Sequence, residues 1–309
     1  MTERAKKTTD TTPLEERLVS LIKHHGPIRV SDFMADALGH PQFGYYTTQD
    51  PFGSAGDFTT APEISQLFGE LIGAWLIHAW EDIGAPSLFN LIELGPGRGT
   101  LMKDILRTAK IKKKFLQAAR VFLVETSGRQ RFEQQRTLRD PVVPLTWAPE
   151  MHDIPPAPTL IIANEFFDCL PVRQFVRTSE KDEPCWRERL IACDDPPGRA
   201  GLHFTLSDTL LETPNGAPPH AKPEDIFETC EPAQDIIGEI AERLSGHKGR
   251  ALIIDYGHGR SSLGDTLQAV RNHQYWSVLA DPGLADVTAH VDFAALARGG
   301  RQSRYRQGV

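Results

Sequence analysis

Short apolar runs that alternate with amphipathic stretches are the most informative pattern in this 309-residue chain. Beyond residue 87, four runs are almost continuously apolar and each ends in acidic or polar residues: LFNLIEL, ARVFLVE, PTLIIANEFF and GRALIIDYG. Such runs are typical of parallel strands that are buried on both faces. Because helical stretches separate several of them, notably from Leu101 to about Phe115, we predict an α/β, Rossmann-like doubly wound sheet with ligands at the carboxyl ends of its strands.

The first ninety residues have a helical pattern instead. TPLE at residues 12–15 and TAPE at residues 60–63 are capping boxes with a proline in the first turn, and each predicts the start of a helix. A short helix is expected between them, from about Ser31 to Leu38, with Gly39 as its stop. The helix after TAPE is predicted to be long and to bury one apolar stripe in the core. The stripe consists of Ile64, Leu67, Phe68, Leu71, Ile72 and Trp75.

Two irregular segments suggest how the chain is divided. GYYTTQDPFGSAGDFTTAPEIS is either a surface connection or a lid that contacts a ligand, and its length favours the lid. Residues 180–223 are rich in proline and charge, and the pieces WRERLIAC and GLHFTL within them predict a hairpin. We therefore expect an N-terminal helical cap with the lid loop (1–88), a first part of the core (89–178), an insertion and a helix (179–249), and a second part of the core (250–309).

Composition narrows the class of protein. The chain is 40% hydrophobic and 24% charged, which is enough to build a core, and neither a membrane-spanning helix nor a secretory signal is expected. A net charge of −7 disfavours nucleic acid as a partner and suits a cationic substrate or a basic protein segment. The four cysteines lack metal-ligand spacing, so we expect reduced thiols, no metal site and a cytoplasm-like compartment. The sequence indicates no oligomeric state.

The turn in LIELGPGRGT, residues 91–100, suggests a cofactor. It lacks the GxxxxGK pattern of a phosphate loop. It also lacks the dinucleotide fingerprint GxGxxG, because the sixth position is Thr100 when counted from Gly95 and Met102 when counted from Gly97. An acid at the strand end followed by G-x-G-x-G, with glycines at 95, 97 and 99, remains compatible with an adenosyl sulfonium cofactor. Glu93 would then meet the cofactor's ammonium group.

Polar groups also end the next two strands. Glu125 follows VFLV, where a carboxylate can accept both hydroxyls of a ribose. Asn164, Glu165 and Asp168 follow LIIA, at the place where the sheet would present groups to a substrate. The alternatives are a tight turn with solvated acids for the first two strand ends, and a helix cap for the third. His258, in DYGH at a later strand end, is either on the substrate side or structural.

Several long motifs resemble one family in the same order along the chain. They are GYYTTQDPFGSAGDFTTAPEISQLFGELIGAWL, ELGPGRGTLMKDILR, VETS, ANEFFDCLPVRQF, LIIDYGH, DTLQAVRNH and ADVTAHVDFAAL. These motifs are similar to the MidA family of S-adenosylmethionine-dependent methyltransferases, whose mitochondrial members assist the assembly of respiratory complex I. The resemblance implies S-adenosyl-L-methionine as cofactor and, for mitochondrial members, methylation of an arginine on a complex I subunit.

The resemblance also assigns residues to roles. It implies that the segment 56–63 is part of the cofactor site, which adds Gly56, Asp57, Thr59 and Pro62 to the residues Glu93, Gly95, Gly97, Gly99 and Glu125. Arginine is a poor nucleophile until carboxylates orient it, and we expect Glu165 to do so with Asp168 as second candidate and Asn164 beside them. A small-molecule methyltransferase and a non-catalytic assembly chaperone that binds the cofactor are the alternatives.

The last residues depart from the family. Its members usually continue past HVDFAAL, whereas this chain enters the basic segment ARGGRQSRYRQGV, so we expect a truncated second half of the core. The resemblance implies the cytoplasm for a bacterial protein and the mitochondrial matrix for a eukaryotic one.

Overall fold

The computed structural model describes residues 11–49, 60–180, 183–194 and 201–306. The helices of these residues are α1 (Pro13–His25), α2 (Val30–Gly39), α3 (Tyr45–Thr48), α4 (Ala61–Ile64), α5 (Gln66–Asp82), α6 (Thr100–Thr108), α7 (Lys113–Ala118), α8 (Gly128–Thr137), α9 (Glu231–His247) and α10 (Phe293–Arg306). In addition, Ala109–Ile111 and Met151–Asp153 each form a single 3-10 turn.

The strands follow the same chain order. They are β1 (Ile28–Arg29), β2 (Phe89–Leu94), β3 (Ala119–Val124), β4 (Leu145–Ala148), β5 (Thr159–Asn164), β6 (Arg173–Glu180), β7 (Glu183–Cys193), β8 (Leu202–Leu206), β9 (Ile226–Thr229), β10 (Gly249–Ile254), β11 (Gly257–His258), β12 (Gln268–Arg271), β13 (Gln274–Trp276), β14 (Asp286–Thr288) and β15 (Val291–Asp292).

The described residues form two compact units, and each is composed of several chain segments. The sheet unit contains residues 60–167, 235–255 and 298–306, and the second unit contains the described residues of 11–49, 168–234 and 256–297. The four-part division of the chain given above stays a prediction.

The sheet unit has a five-stranded parallel sheet in the order β10-β5-β2-β3-β4. All six residues of β2 are buried, as expected for a strand covered on both faces. Because all five strands run the same way, their carboxyl ends lie along one edge of the sheet. The α/β prediction is confirmed, and four of the five strands were predicted. Strand β4 was not predicted, because LTWA is short and only its last residue is buried.

The core of the sheet unit lies between this sheet and helices α5, α6 and α7. Three rings form its aromatic centre: the Trp80 and Phe115 ring centroids lie 5.8 Å apart, and those of Phe89 and Phe115 lie 5.0 Å apart. The predicted helix over 101–115 is broken by the 3-10 turn into α6 and α7.

The helix predicted after TAPE is also interrupted. Ser65 adopts an extended conformation and its hydroxyl accepts a hydrogen bond from the backbone N–H of Leu67 at 3.3 Å, so it ends α4 and caps α5. The proposed core stripe is wrong for Ile64, Leu67 and Leu71, which are 73%, 58% and 62% exposed. The face of α5 that is packed instead is lined by Gly69, Ile72, Gly73, Leu76, Ile77, Ala79 and Trp80.

Helix α10 was not foreseen either. The basic segment after Leu296 has no apolar periodicity, yet the helix that begins at Phe293 continues through it to Arg306. No helix among the described residues is long and apolar enough to span a bilayer.

The second unit confirms two local predictions. The Thr12 hydroxyl accepts a hydrogen bond from the backbone N–H of Glu15 at 3.1 Å and caps α1, as the capping box predicts. Within the insertion, β8 pairs with β7 in the expected hairpin, and β7 belongs to an antiparallel sheet in the order β1-β7-β6-β9. In this sheet Arg173 makes a two-pronged ion pair with Glu188, with both distances 2.8 Å.

Candidate functional site

The glycine turn after β2 has an unusual backbone. Gly95, Gly97 and Gly99 have φ angles of +59°, +52° and +83°, a region that is costly for residues with a Cβ atom. Space is restricted as well, because a Cβ on Gly95 would lie 2.7 Å from Cδ2 of Phe166. The alternating glycines are therefore required by the turn itself, which leaves its backbone close to the edge of the sheet.

Glu93, one residue before the end of β2, is a buried acid. Its side chain is 3% exposed, and burial raises its pKa to about 8. Among the described residues, nothing hydrogen-bonds its Oε2 atom. A buried carboxylate oxygen without a hydrogen-bond partner is costly, so this position suits a ligand that brings a positive charge. The ammonium group of S-adenosyl-L-methionine has that character.

Glu125 follows β3 and is held by three donors. Its Oε1 accepts the backbone N–H of Ser127 at 2.8 Å, its Oε2 accepts Nε2 of Gln134 at 3.0 Å, and the carboxyl also accepts the backbone N–H of Thr126. Burial raises the pKa of the carboxyl, and these hydrogen bonds oppose the rise. A carboxylate has about four acceptor positions, so one remains open. Such a carboxylate is suited to accept a hydroxyl of a ribose.

Gln134 on α8 was missed by the sequence analysis. Besides Glu125, its Nε2 donates to the carbonyl of Gly97 at 2.8 Å, and its Oε1 accepts Nε1 of Trp147 at 2.8 Å. One side chain thus links the glycine turn, the acid after β3 and strand β4. A glutamine in the polar helix GRQRFEQQRT carries no signal in sequence that would mark it.

Asn164 and Glu165 lie at the end of β5. Glu165 has a left-handed backbone with φ of +48°, which is uncommon for a residue other than glycine. Its half-buried carboxylate accepts hydrogen bonds from the Ala61 backbone and, at 3.4 Å, from Asn164 Nδ2, and burial raises its pKa. The Oδ1 atom of Asn164 is buried and has no partner within the described part of the chain.

Asp255, which follows β10, secures the turn that carries Glu165. Its Oδ2 accepts the backbone N–H of Phe166 at 3.1 Å and that of Phe167 at 2.8 Å. The backbone N–H of Glu165 itself donates to the carbonyl of Ile254 at 2.9 Å. From the sequence, DYGH was predicted either to line the substrate side or, through His258, to have a structural role, and no pattern indicated this contact of Asp255.

The TAPE segment lies against the glycine turn. Glu63 accepts a hydrogen bond from the Thr100 hydroxyl at 2.5 Å and lies 4.0 Å from the Arg98 guanidinium. Pro62, beside it, is buried. Of the residues that the resemblance assigns to the cofactor site, Pro62 precedes the residue that contacts the turn, whereas Gly56, Asp57 and Thr59 lie outside the described residues.

Two other candidates lie in the second unit. The carbonyl of Asp168 accepts the backbone N–H of Ala289 at 2.9 Å, and the role of its side chain stays a prediction. His258 is part of β11, which pairs with β15, and its Nδ1 lies 2.8 Å from the carbonyl of Arg260. These contacts favour the structural interpretation of His258.

Comparisons with known proteins agree with this chemistry. A family model described as "Putative S-adenosyl-L-methionine-dependent methyltransferase" matches residues 71–307. The mitochondrial protein arginine methyltransferase NDUFAF7 of Xenopus laevis is 37% identical over 96% of this chain and 72% of its own, and the Homo sapiens protein of that name is 38% identical over 93% and 68%. The Drosophila melanogaster homologue is 38% identical over 91% of this chain and 68% of its own.

A solved structure has the same fold. A Burkholderia thailandensis protein whose crystal structure contains S-adenosyl-homocysteine superposes with a TM-score of 0.77 at 24% identity, over 94% of this chain and 76% of that one.

Proposed function

Because the chain belongs to this family of S-adenosyl-L-methionine-dependent methyltransferases, we propose that it methylates an arginine side chain of a protein. The relatives that carry the name protein arginine methyltransferase are similar over more than nine tenths of the chain. The observation that carries the proposal is the pair Asn164 and Glu165 at the end of β5. A carboxylate there, and an amide oxygen without a hydrogen-bond partner among the described residues, match the positive charge and the N–H donors of a guanidinium group.

Four features would hold the cofactor. Glu93 pairs with its ammonium group, Glu125 accepts a ribose hydroxyl, the turn at Gly95, Gly97 and Gly99 lets the backbone approach it closely, and the segment around Pro62 borders it. When bound, S-adenosyl-L-methionine supplies a methyl group on a positively charged sulfur. The remaining work of the protein is to place a nucleophile in line with that methyl group, and good alignment is worth roughly 7–11 kcal/mol.

Glu165 would perform this alignment. An arginine guanidinium keeps its proton in water, since its pKa lies above about 12, and is a weak nucleophile. A carboxylate that accepts two of its N–H groups orients the plane of the guanidinium and localises its charge away from the reacting nitrogen. Burial raises the pKa of Glu165, which makes it a better acceptor for the proton released during transfer. Asp168 is proposed as a second, supporting carboxylate.

The substrate that we propose is a subunit of respiratory complex I, whose assembly the methylation would assist. This follows from the resemblance to the MidA family and from the charge of −7, which suits a basic segment. The reaction would take place in the cytoplasm of a bacterium or in the mitochondrial matrix of a eukaryote.

A methyl-transfer assay tests the proposal. Wild-type protein and Glu165→Gln are incubated with radiolabelled S-adenosyl-L-methionine and a lysate that lacks the protein, and labelled sites are mapped by mass spectrometry. We expect label on a protein arginine with the wild type and little with Glu165→Gln, although both bind S-adenosyl-homocysteine equally. Label that enters only small molecules would replace the proposal with a small-molecule methyltransferase. Unimpaired complex I assembly with Glu165→Gln would favour an assembly chaperone instead.

A further inference from the structure

We infer that Gln134, with its amide orientation set by Trp147, is a positioning residue that holds Glu125 and the glycine turn in the form that binds the cofactor. The inference rests on the proposed role of Glu125 as the acceptor of a ribose hydroxyl. Neither Gln134 nor Trp147 lies within the motifs that resemble the MidA family.

Gln134 is placed where two parts of the proposed cofactor site meet. Its side chain has no exposed surface, and its Nε2 group donates both hydrogens, to the Gly97 carbonyl at 2.8 Å and to Oε2 of Glu125 at 3.0 Å. These acceptors come from different strand ends, the one after β2 and the one after β3. A single amide therefore fixes the distance between the turn and the carboxylate.

Trp147 decides which way the amide points. An indole N–H can only donate, so the atom 2.8 Å from Nε1 of Trp147 has to be the amide oxygen. The NH₂ group then faces Gly97 and Glu125. Rotation of the amide by 180° would direct its oxygen towards two other acceptors and its NH₂ group towards the indole donor. The three hydrogen bonds thus stabilise one orientation together.

This orientation affects the charge of Glu125. Burial raises the pKa of its carboxyl, and the bond from Gln134 is among the interactions that lower it. If that donor is lost, protonation of Glu125 becomes easier and the carboxylate loses one of its restraints. A protonated carboxyl offers fewer acceptor sites to a ribose, so cofactor affinity should then decrease most at low pH.

Gln130 provides a matched control on the same helix. It lies one turn before Gln134 in α8 and is 4% exposed, but its Oε1 has no hydrogen-bond partner within the described residues. Gln130→Leu and Gln134→Leu therefore remove the same group from the same helix at similar burial. They differ in the contacts with Glu125 and Gly97.

The test is the dissociation constant of S-adenosyl-homocysteine, measured by calorimetry between pH 6 and 8 on the full chain. Because hydrogen bonds to charged groups are the strong class, we expect Gln134→Leu to weaken binding about ten- to hundredfold, with the greatest loss at pH 6. Trp147→Phe, which removes only the indole N–H, should weaken it roughly three- to tenfold. Gln130→Leu should bind as the wild type does. Gln130→Leu should also keep wild-type turnover, whereas in Gln134→Leu and Trp147→Phe the loss should fall on the KM for S-adenosyl-L-methionine more than on kcat.

Two outcomes would overturn the inference: Gln134→Leu binding as tightly as Gln130→Leu, or a loss of affinity in Gln134→Leu that is the same at every pH. Thermal melting reports whether each variant folds. If Gln134→Leu does not fold, the affinity of Trp147→Phe is compared with that of Gln130→Leu by the same two criteria. Glu125→Gln separates this inference from the proposed function. Unchanged affinity in Glu125→Gln would show that Glu125 does not bind the ribose. Weaker binding in Glu125→Gln with unchanged binding in Gln134→Leu would overturn only the role of Gln134.

Discussion

The carboxylate of Asp255 accepts the backbone N–H of Phe167 at 2.8 Å, across 88 positions of the chain. The same oxygen accepts the N–H of Phe166. An acid after β10 thereby holds the turn after β5, where Glu165 has its left-handed backbone. If Glu165 orients the substrate, its position depends on Asp255.

Asp255→Ala should therefore impair turnover more than cofactor binding. We expect turnover to decrease about ten- to hundredfold, because two partly buried N–H groups lose their acceptor and the turn relaxes. Asp255→Asn keeps an acceptor oxygen and should lose less. Methyl-transfer kinetics and calorimetry with S-adenosyl-homocysteine measure the two effects. Wild-type turnover in Asp255→Ala would mean that the turn is held by other contacts.

Gly95→Ala tests the glycine turn. The new Cβ would lie 2.7 Å from the ring of Phe166, in a backbone with φ of +59°, so we expect a loss of about 1–3 kcal/mol in the free energy of unfolding and weaker cofactor binding. Gly128→Ala, with nothing within 4 Å of its Cβ and no positive φ, is the control and should change stability by less than about 0.5 kcal/mol. Urea titrations compare the two. Equal stabilities would show that the turn accepts a side chain.

Glu93 should make the cofactor-free protein less stable as pH rises. Burial raises the pKa of this carboxyl in the folded chain from its ordinary 4.5 to about 8, so between these values the folded state keeps a proton that the unfolded state has released. The contribution of Glu93 to stability is therefore greatest below pH 4.5 and is lost as pH rises towards 8. Glu93→Gln should match the wild type near pH 5 and exceed it at pH 8 by an amount on the order of a few kcal/mol. Denaturant unfolding at both pH values measures this difference in unfolding free energy between Glu93→Gln and the wild type. A difference that is the same at pH 5 and pH 8 would contradict the raised pKa of Glu93.

The same acid should make cofactor binding release a proton. If the ammonium group of the cofactor pairs with ionised Glu93, the apparent affinity for S-adenosyl-L-methionine rises between pH 6 and 8, by up to about tenfold per pH unit. Glu93→Gln should bind more weakly and with a flat pH profile over this range. Calorimetry in buffers of different ionisation enthalpy counts the protons. A count of zero at pH 7 for the wild type would remove Glu93 from the ammonium site.

Two leucines of α5 test the face that the structure buries. Leu76 is fully buried and Leu71 is 62% exposed. We expect Leu76→Ala to cost about 2–5 kcal/mol of unfolding free energy and Leu71→Ala less than about 0.5 kcal/mol. Denaturant unfolding followed by circular dichroism measures both. A large loss in Leu71→Ala would mean that the exposed stripe is covered in solution, and a dependence on protein concentration would identify a second copy as its cover.

The helix α5 also illustrates where prediction from sequence failed. Its residues are apolar on almost every side, so periodicity alone could not decide which face packs. Small residues settled it, because Gly69 and Gly73 let α6 approach closely; a Cβ on Gly69 would lie 2.5 Å from Cβ of Asp104. The larger Leu67 and Leu71 of α5 remained outside, as did Ile64 at the end of α4.

The sequence by itself determined the local features: the apolar runs that became β2, β3, β5 and β10, the capped start of α1, and the acids and glycines that follow the strands. These depend on burial, backbone preference and neighbours a few positions away, which are written in the order of residues. Only the tertiary structure decided which side chains hold those acids. Gln134 meets a carbonyl 37 positions away and Asp255 meets amides 88 and 89 positions away, and both contacts arise because parallel strands bring distant chain segments to one edge of the sheet.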